Sequence, residues 1–478
     1  MKHDGARLVI AGTGSGVGKT SLVIGLARCL ARRGLRVQTF KVGPDFLDPT
    51  YLALASGRTC YNLDGWMTSR QYVGELFARA TADADIALIE GVMGLFDGAS
   101  PSTIEGSTAE IARWLDAPVL LVANAHGTAR SLAATVYGFA HFEPGVRVAG
   151  VIANQGGSER HRHWLAESLA AGDVPLVGML PRDSLPTLPS RHLGLVTADR
   201  AVLSTTILDQ LADACEKHID VPSLLELARS NGKTVNDLPS PDQPSVGARR
   251  GAGGGGSGET EQCTPPVRLG IARDAAFHFY YPDNLEMLER EGVEWAPFSP
   301  LADTRLPEDL DGLYLGGGYP ELFAARLADN AKLLAEIRTF AASGRCVHAE
   351  CGGLMYLGQT LTTLEGVRHS LAGVLPIHTA MLPKLKVLGY TEVAWTADTL
   401  WGRAGQVARG HEFHFSEIAA ADGPTNGWQP AYTVRRRGAE PANEGFCKGN
   451  VLAGYVHLHW ASRPEAMRHF LTRCKERS

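Results

Sequence analysis

The chain has 478 residues, 46 basic and 51 acidic, with a formal net charge of −5 and no basic run longer than Arg435-Arg436-Arg437. That length exceeds what one hydrophobic core serves, so two or three domains are expected, and the charge balance argues for small-molecule substrates and no nucleic acid. Eight cysteines without a C-x-x-C pair argue against a disulfide framework or zinc ribbon, and no apolar run reaches membrane-spanning length; with the first motif too close to Met1 to leave room for a cleavable signal, a cytoplasmic protein with no membrane partner is expected.

Along the chain, short β-branched apolar runs alternate with stretches of helical period. Residues 8–11, 37–41, 86–90, 119–123 and 148–153 predict strands, and residues 19–32, 69–80, 108–115 and 129–139 predict helices. This alternation predicts an α/β fold built on a doubly wound parallel sheet.

Between the first strand and first helix lies Gly12-Thr13-Gly14-Ser15-Gly16-Val17-Gly18-Lys19-Thr20. In that context backbone N–H groups can surround phosphate oxygens, Lys19 can reach the β- and γ-phosphates of ATP, and the Thr20 hydroxyl can ligate magnesium. A strict G-x-x-x-x-G-K-[ST] needs glycine where Thr13 stands, so the spacing from Gly12 is one residue longer, as in the branch of P-loop proteins that includes the dethiobiotin synthetases. Two acidic segments follow, each just past a strand end, where open α/β sheets place ligands. Prolines and glycine make residues 41–49 a loop that carries Asp45 and Asp48; residues 89–98 carry Glu90 and Asp97. With Thr20, the residues Asp48, Glu90 and Asp97 are candidate magnesium ligands, since magnesium shares oxygen ligands between protein, water and phosphate. Asp also begins turns and caps helices, a reading that competes most strongly at Asp48. Glu90 ends a buried strand, where an acid without a partner is costly.

Composition changes sharply across residues 230–266, with Pro239, Pro241, Pro244 and the glycine-rich run from Gly251 to Gly258. Such a segment cannot bury enough apolar area to order itself, so the expected division is a domain over 1–230, a linker over 231–265 and a second domain over 266–478. There the α/β rhythm restarts, with strands at 267–272, 312–315 and 345–350 and helices at 283–291 and 324–342. Cys351 falls at the junction of a strand and a helix opening with Gly352-Gly353. Such a turn exposes a nucleophile, and helix amides aimed at it lower the thiol pKa and can stabilise an oxyanion. Gly317 and Gly318, in the loop Leu315-Gly316-Gly317-Gly318-Tyr319-Pro320-Glu321, are candidates for the second donor and for substrate contact. The other cysteines read as small core residues. A general base is sought among late histidines: His457 is chosen and His459 is second, the two facing one side if the strand that carries them continues. No third residue for a metal site stands near them.

These blocks, with Gly410-His411-Glu412-Phe413-His414-Phe415-Ser416, resemble in order and over nearly the whole chain the a,c-diamide synthases of corrin-ring biosynthesis, the cobyrinic or hydrogenobyrinic acid family. The resemblance implies a dethiobiotin-synthetase-like domain joined to a class I, triad-type glutaminase domain, with ATP and Mg2+ as cofactors. It further implies glutamine-hydrolysing amidation of the a and c carboxylates of cobyrinic acid, in cobalamin biosynthesis, through a carboxyl phosphate. It makes Phe46 and Leu47, between the two aspartates, candidates to touch the macrocycle beside Asp45 and Asp48, makes Asn154 a candidate reader of the adenine edge, and leaves His411 and His414 open between the passage, the substrate site and an inert role. Two departures stand out. Ala349 replaces a common glycine two residues before the cysteine, and His459 stands where a triad glutamate would follow His457, which leaves a Cys-His dyad with no orienting carboxylate. Hydrogenobyrinic acid and nickel-sirohydrochlorin remain alternative acceptors, a P-loop switch with a non-catalytic binding domain is the alternative from another class, and a homodimer is left open.

Overall fold

The computed structural model describes residues 5–186, 188, 190–191, 194–195, 204–229, 266–421 and 427–476. The expected linker lies outside the described residues. The chain divides into two compact units.

In the first unit, β1 (Arg7–Gly12), β2 (Val37–Val42), β3 (Tyr61–Leu63), β4 (Ile86–Glu90), β5 (Val119–Asn124), β6 (Val148–Gly156) and β7 (Leu176–Pro181) form one sheet in the order β3-β2-β4-β1-β5-β6-β7. Every pairing is parallel. The strands are Val/Ile/Leu-rich because both faces are covered, which splits the core into two apolar layers. The order reverses direction at β1, so β1 and β4 end at the crevice where such sheets bind ligands.

The helices are α1 (Lys19–Arg32), α2 (Asp48–Ser56), α3 (Arg70–Thr81), α4 (Thr108–Trp114), α5 (Arg130–His141), α6 (Glu159–Leu169), α7 (Thr205–His218) and α8 (Val221–Arg229). Serine caps α3, α4, α6 and α7, each side chain accepting a backbone N–H of the first turn. The loop expected over 41–49 is shorter than foreseen: α2 already begins at Asp48, with Pro49 in its first turn, where a missing N–H costs nothing.

The second unit has a six-stranded sheet in which Val293–Phe298 at one edge, then Val267–Ala272, Gly312–Leu315, Cys346–Glu350 and Val451–Gly454, are parallel. The single helix expected over 324–342 is two, Ala324–Asp329 and Ala331–Ala342. They part at Asn330, whose side-chain amide donates to the carbonyls of Pro300 (2.9 Å) and Asp303 (2.8 Å). Strand Val407–His414 pairs antiparallel with Val387–Trp395 on one side and with the short strand His457–Leu458 on the other, in a separate five-stranded sheet. No helix among the described residues is long and apolar enough to cross a membrane.

Candidate active sites

The phosphate loop joins β1 to α1, with Gly16 (φ 74°) and Gly18 (φ 92°) left-handed. At Gly18 a Cβ would also strike the amide nitrogen of Asn154. That amide donates from Nδ2 to the Val17 carbonyl (2.8 Å), while its Oδ1 accepts the Gln155 N–H (2.9 Å). Nδ2 therefore holds the loop while Oδ1 is taken by the next residue's N–H, a geometry that favours loop support over the expected reading of adenine. Asn154→Ala is expected to raise the KM for ATP by about tenfold, the cost of one unmade buried hydrogen bond, measured with ammonia as nitrogen donor. An unchanged KM would remove Asn154 from loop support.

Lys19 is buried and donates from Nζ to the carbonyls of Gly14 (2.9 Å) and Met93 (2.6 Å). Burial, then the nearby Lys41 ammonium, lower its pKa. The 91–98 loop lies against the phosphate loop, since Leu95 N–H donates to the Gly12 carbonyl (2.9 Å). Met93 meets Lys19 by taking a left-handed conformation (φ 46°).

The acidic candidates separate. Asp48 and Glu90 converge on Lys41, near the end of β2: Lys41 Nζ lies 2.5 Å from Asp48 Oδ2 and 2.9 Å from Glu90 Oε1, and the Thr20 hydroxyl donates to the same Glu90 oxygen at 2.7 Å. All but Thr20 are buried. Burial lowers the Lys41 ammonium's pKa, but the charges of Asp48 and Glu90 outweigh it and raise the pKa overall. Burial pushes the Glu90 carboxyl upward, and Asp48 adds to this against the pull of Lys41 and Thr20. Asp45 does the turn chemistry that was weighed for Asp48: its Oδ1 accepts the N–H groups of Leu47 (2.6 Å) and Asp48 (3.4 Å) at the start of α2. Burial and then the Asp48 charge raise its carboxyl to about 6. Phe46 and Leu47 are half-buried in that turn. Asp97 is exposed and closes its own turn by accepting the Gly94 N–H (2.9 Å).

Among the described residues no three His, Cys, Asp or Glu side chains cluster to hold a metal by themselves. The donor set nonetheless suits a hard cation that brings phosphate and water with it, because Glu90 Oε2 is buried without a hydrogen-bond partner beside Thr20.

In the second unit Cys351 has φ 48° and ψ −101°, a strained turn between strand Cys346–Glu350 and helix Gly352–Leu357. Its N–H donates to the Gly454 carbonyl at 2.8 Å, and its Sγ lies 3.9 Å from the Phe413 carbonyl. Gly353 is required here, since a Cβ would collide with the Leu315 carbonyl. A Cβ on Gly352 would lie 3.1 Å from the Gly318 nitrogen, and one on Gly317 would lie 3.1 Å from His457 Nε2. The Gly317-Gly318 loop thus touches both the cysteine turn and the imidazole, which brings the expected nucleophile, base and donor loop together.

The thiol differs from expectation. Burial, then the Glu321 carboxylate, push its pKa well up, and the Gly352 amide only partly offsets them. A six-residue helix is too short to supply the lowering foreseen. His459 is not on the same strand face as His457, because the strand ends at Leu458 and His459 caps a short 3-10 turn, its Nδ1 accepting the Ala461 N–H at 3.3 Å. The nearest carboxylate to His457 that these contacts show is Glu350, 3.6 Å from its Nδ1.

Residues 8–196 match the CobQ/CobB/MinD/ParA nucleotide binding domain, and residues 268–465 match the CobB/CobQ-like glutamine amidotransferase domain. The chain is 56% identical to the cobyrinate a,c-diamide synthase of Syntrophotalea carbinolica, over 99% of both proteins. It is 42% identical to that of Leptospira interrogans, over 98% of both, and 41% identical to that of Priestia megaterium, over 98% of this chain and 97% of the relative. The chain belongs to the cobyrinate a,c-diamide synthase family. Within that family frame, two residues escaped the sequence reading. Lys41 ends a buried strand, so the argument applied to Glu90, that a buried charge needs a partner, applied equally to it. Glu350 adjoins the nucleophile and was passed over because a triad carboxylate was sought after the histidine.

Proposed function

We propose that the chain performs the reaction its relatives are named for, amidating the a and c side-chain carboxylates of cobyrinic acid with nitrogen from glutamine and energy from ATP. The observation that carries the glutaminase half is the strained Cys351 turn seated against both the Gly317-Gly318 loop and, through it, His457. Because the resting thiol is protonated, attack on the glutamine carbonyl is coupled to transfer of the Sγ proton to His457 Nε2. The carbonyl oxygen turns to the N–H groups of Gly318 and Gly352. The same proton then passes to the leaving nitrogen, ammonia departs, and water hydrolyses the thioester to glutamate.

In the first unit the phosphate loop and Lys19 bind the triphosphate of ATP. Thr20 and Glu90 would hold Mg2+, which would neutralise phosphate charge. Lys41 keeps Asp48 and Glu90 fixed, and the turn carrying Asp45, Phe46, Leu47 and Asp48 meets the acceptor. Transfer of the γ-phosphoryl group to a side-chain carboxylate gives an acyl phosphate and ADP. Ammonia adds to its carbonyl and phosphate leaves. Phosphorylation is needed because a free carboxylate repels nucleophiles and offers oxide as its leaving group.

Incubation with ATP, glutamine and, separately, cobyrinic acid, hydrogenobyrinic acid or nickel-sirohydrochlorin, followed by mass spectrometry, tests the acceptor. Two amides on cobyrinic acid are expected. Hydrolysis of ATP and glutamine with no amidated product from any of the three would rule the substrate class out.

A further inference from the structure

Glu350 is 3% exposed, at the end of strand Cys346–Glu350, and its two oxygens face different partners. Oε1 accepts from His348 Nε2 (3.1 Å) and from the Leu458 N–H (3.2 Å). Oε2 accepts from the Tyr314 hydroxyl (3.1 Å) and lies 3.6 Å from His457 Nδ1. The direction of the His348 bond is fixed from outside. Trp401 Nε1, which can only donate, points at His348 Nδ1 from 3.0 Å, so Nδ1 is the acceptor and the ring proton sits on Nε2, aimed at Glu350. Three donors from three elements thus hold the carboxylate in one orientation, with His457 Nδ1 in front of its second oxygen.

The other edge of the His457 ring faces Gly317, where a Cβ would lie 3.1 Å from Nε2, and the next residue's nitrogen, that of Gly318, lies against Gly352 of the cysteine turn. His457 therefore has one nitrogen toward a fixed carboxylate and the other toward the glycine loop that packs on the cysteine turn. We infer that Glu350, the residue immediately before the nucleophile, is the positioning residue that sets the His457 tautomer and stabilises its imidazolium, completing a Cys351–His457–Glu350 triad. A separation of 3.6 Å is an ion-pair distance, and such contacts shorten to hydrogen bonds as charge develops on the ring. Burial works to raise the Glu350 carboxyl, but the hydrogen bond from His348 and the neighbouring His457 ring outweigh it and hold it below the usual carboxylate range. It therefore stays ionised wherever an imidazole titrates, and it never takes the proton from the ring.

His457's other titratable neighbour across the strand pair is His411. Burial, then the His457 charge, against the pull of Glu412, lower His411 to about 3. His411 stays neutral and cannot replace Glu350 as counter-ion.

This inference rests on the glutaminase reading above, and Glu350→Gln tests it. Two donors already claim the Oε1 position, so the glutamine oxygen must take it and the NH2 must replace Oε2. That NH2 donates toward His457 Nδ1 and forces the imidazole proton onto Nε2, where it cannot accept from the thiol. The kcat for glutamine hydrolysis is expected to fall on the order of 10^3-fold with little change in KM, because a wrong tautomer impairs the transition state more than binding. The acid limb of the kcat/KM profile is expected to move to lower pH, since the protonated ring has lost its counter-ion. Glu350→Asp should recover part of the rate, and ammonia-dependent amidation should be unchanged in both variants.

A fall in hydrolysis without movement of the acid limb, or loss of ammonia-dependent amidation as well, would make Glu350 a structural residue and overturn the inference. So would unchanged hydrolysis in Glu350→Gln beside a dead Cys351→Ala. If the parent chain itself hydrolyses no glutamine, the glutaminase reading fails instead.

Discussion

Cys351→Ala is expected to lower glutamine-dependent amidation on the order of 10^4-fold or more, while ammonia-dependent amidation at saturating ammonium is unchanged. The size of the loss follows from the chemistry. Amide cleavage here passes through a thioester, and the strained backbone at Cys351 opens a turn that packs, at Gly352, against the Gly317-Gly318 loop beside His457. The seven cysteines resolved as free thiols include no second one at a strand-to-helix turn. The selectivity follows from the architecture, because the phosphate loop, Lys41 and Glu90 belong to another unit with its own sheet and core. Alanine removes a buried thiol without adding volume, so the fold is preserved. Product formation with each nitrogen donor is the measurement. Equal loss with both donors would contradict the division of labour.

Lys41→Met is expected to abolish amidation with both donors and to destabilise the first unit by about 3–5 kcal/mol, the cost of leaving buried charges without their partner. In the parent, one ammonium neutralises Asp48 at 2.5 Å and Glu90 at 2.9 Å. Methionine fills much of the same volume, so the loss is electrostatic rather than a cavity. It has a pH signature. A carboxyl whose folded pKa is raised above its unfolded value costs stability at high pH and returns it as the group takes a proton. Burial already raises Glu90 from 4.5 to about 7, and loss of the Lys41 pull raises it further in the variant, so the deficit relative to the parent should be largest above pH 7 and shrink as pH falls through about 7. Chemical denaturation at several pH values measures it. A deficit independent of pH, or ammonia-dependent turnover close to the parent's, would remove Lys41 from the centre of this site.

Much of the first unit was legible because a parallel sheet covered on both faces writes its strands as apolar runs and its helices as amphipathic periods. Val37, Phe40, Ile86, Leu88, Val119 and Leu121 announce their strands this way. The turn at Cys351 was legible too, since glycines at 352 and 353 have few other uses after a buried strand. What stayed hidden was pairing across the fold. Nothing local in residues 41–49 says that Lys41 takes Asp48 while Asp45 caps the turn, or that Asn154 reaches back 137 positions to Val17. The Glu350 contacts have the same character, since Tyr314, His348, Trp401 and Leu458 reach it from separate elements. The mostly antiparallel strands between Thr360 and Lys448 were also unread, because their half-exposed, irregular alternation lacks the strong signal of the parallel core.

The central claim, that nitrogen released at Cys351 is consumed at the ATP site of the same chain, is tested most directly with glutamine labelled with 15N in its side-chain amide. The enzyme is given ATP, cobyrinic acid and labelled glutamine in a bath of unlabelled ammonium too dilute to support turnover of Cys351→Ala. The product is then weighed. The account predicts a diamide carrying two 15N atoms. A diamide whose nitrogen matches the unlabelled bath, formed while labelled glutamine is hydrolysed, would contradict it.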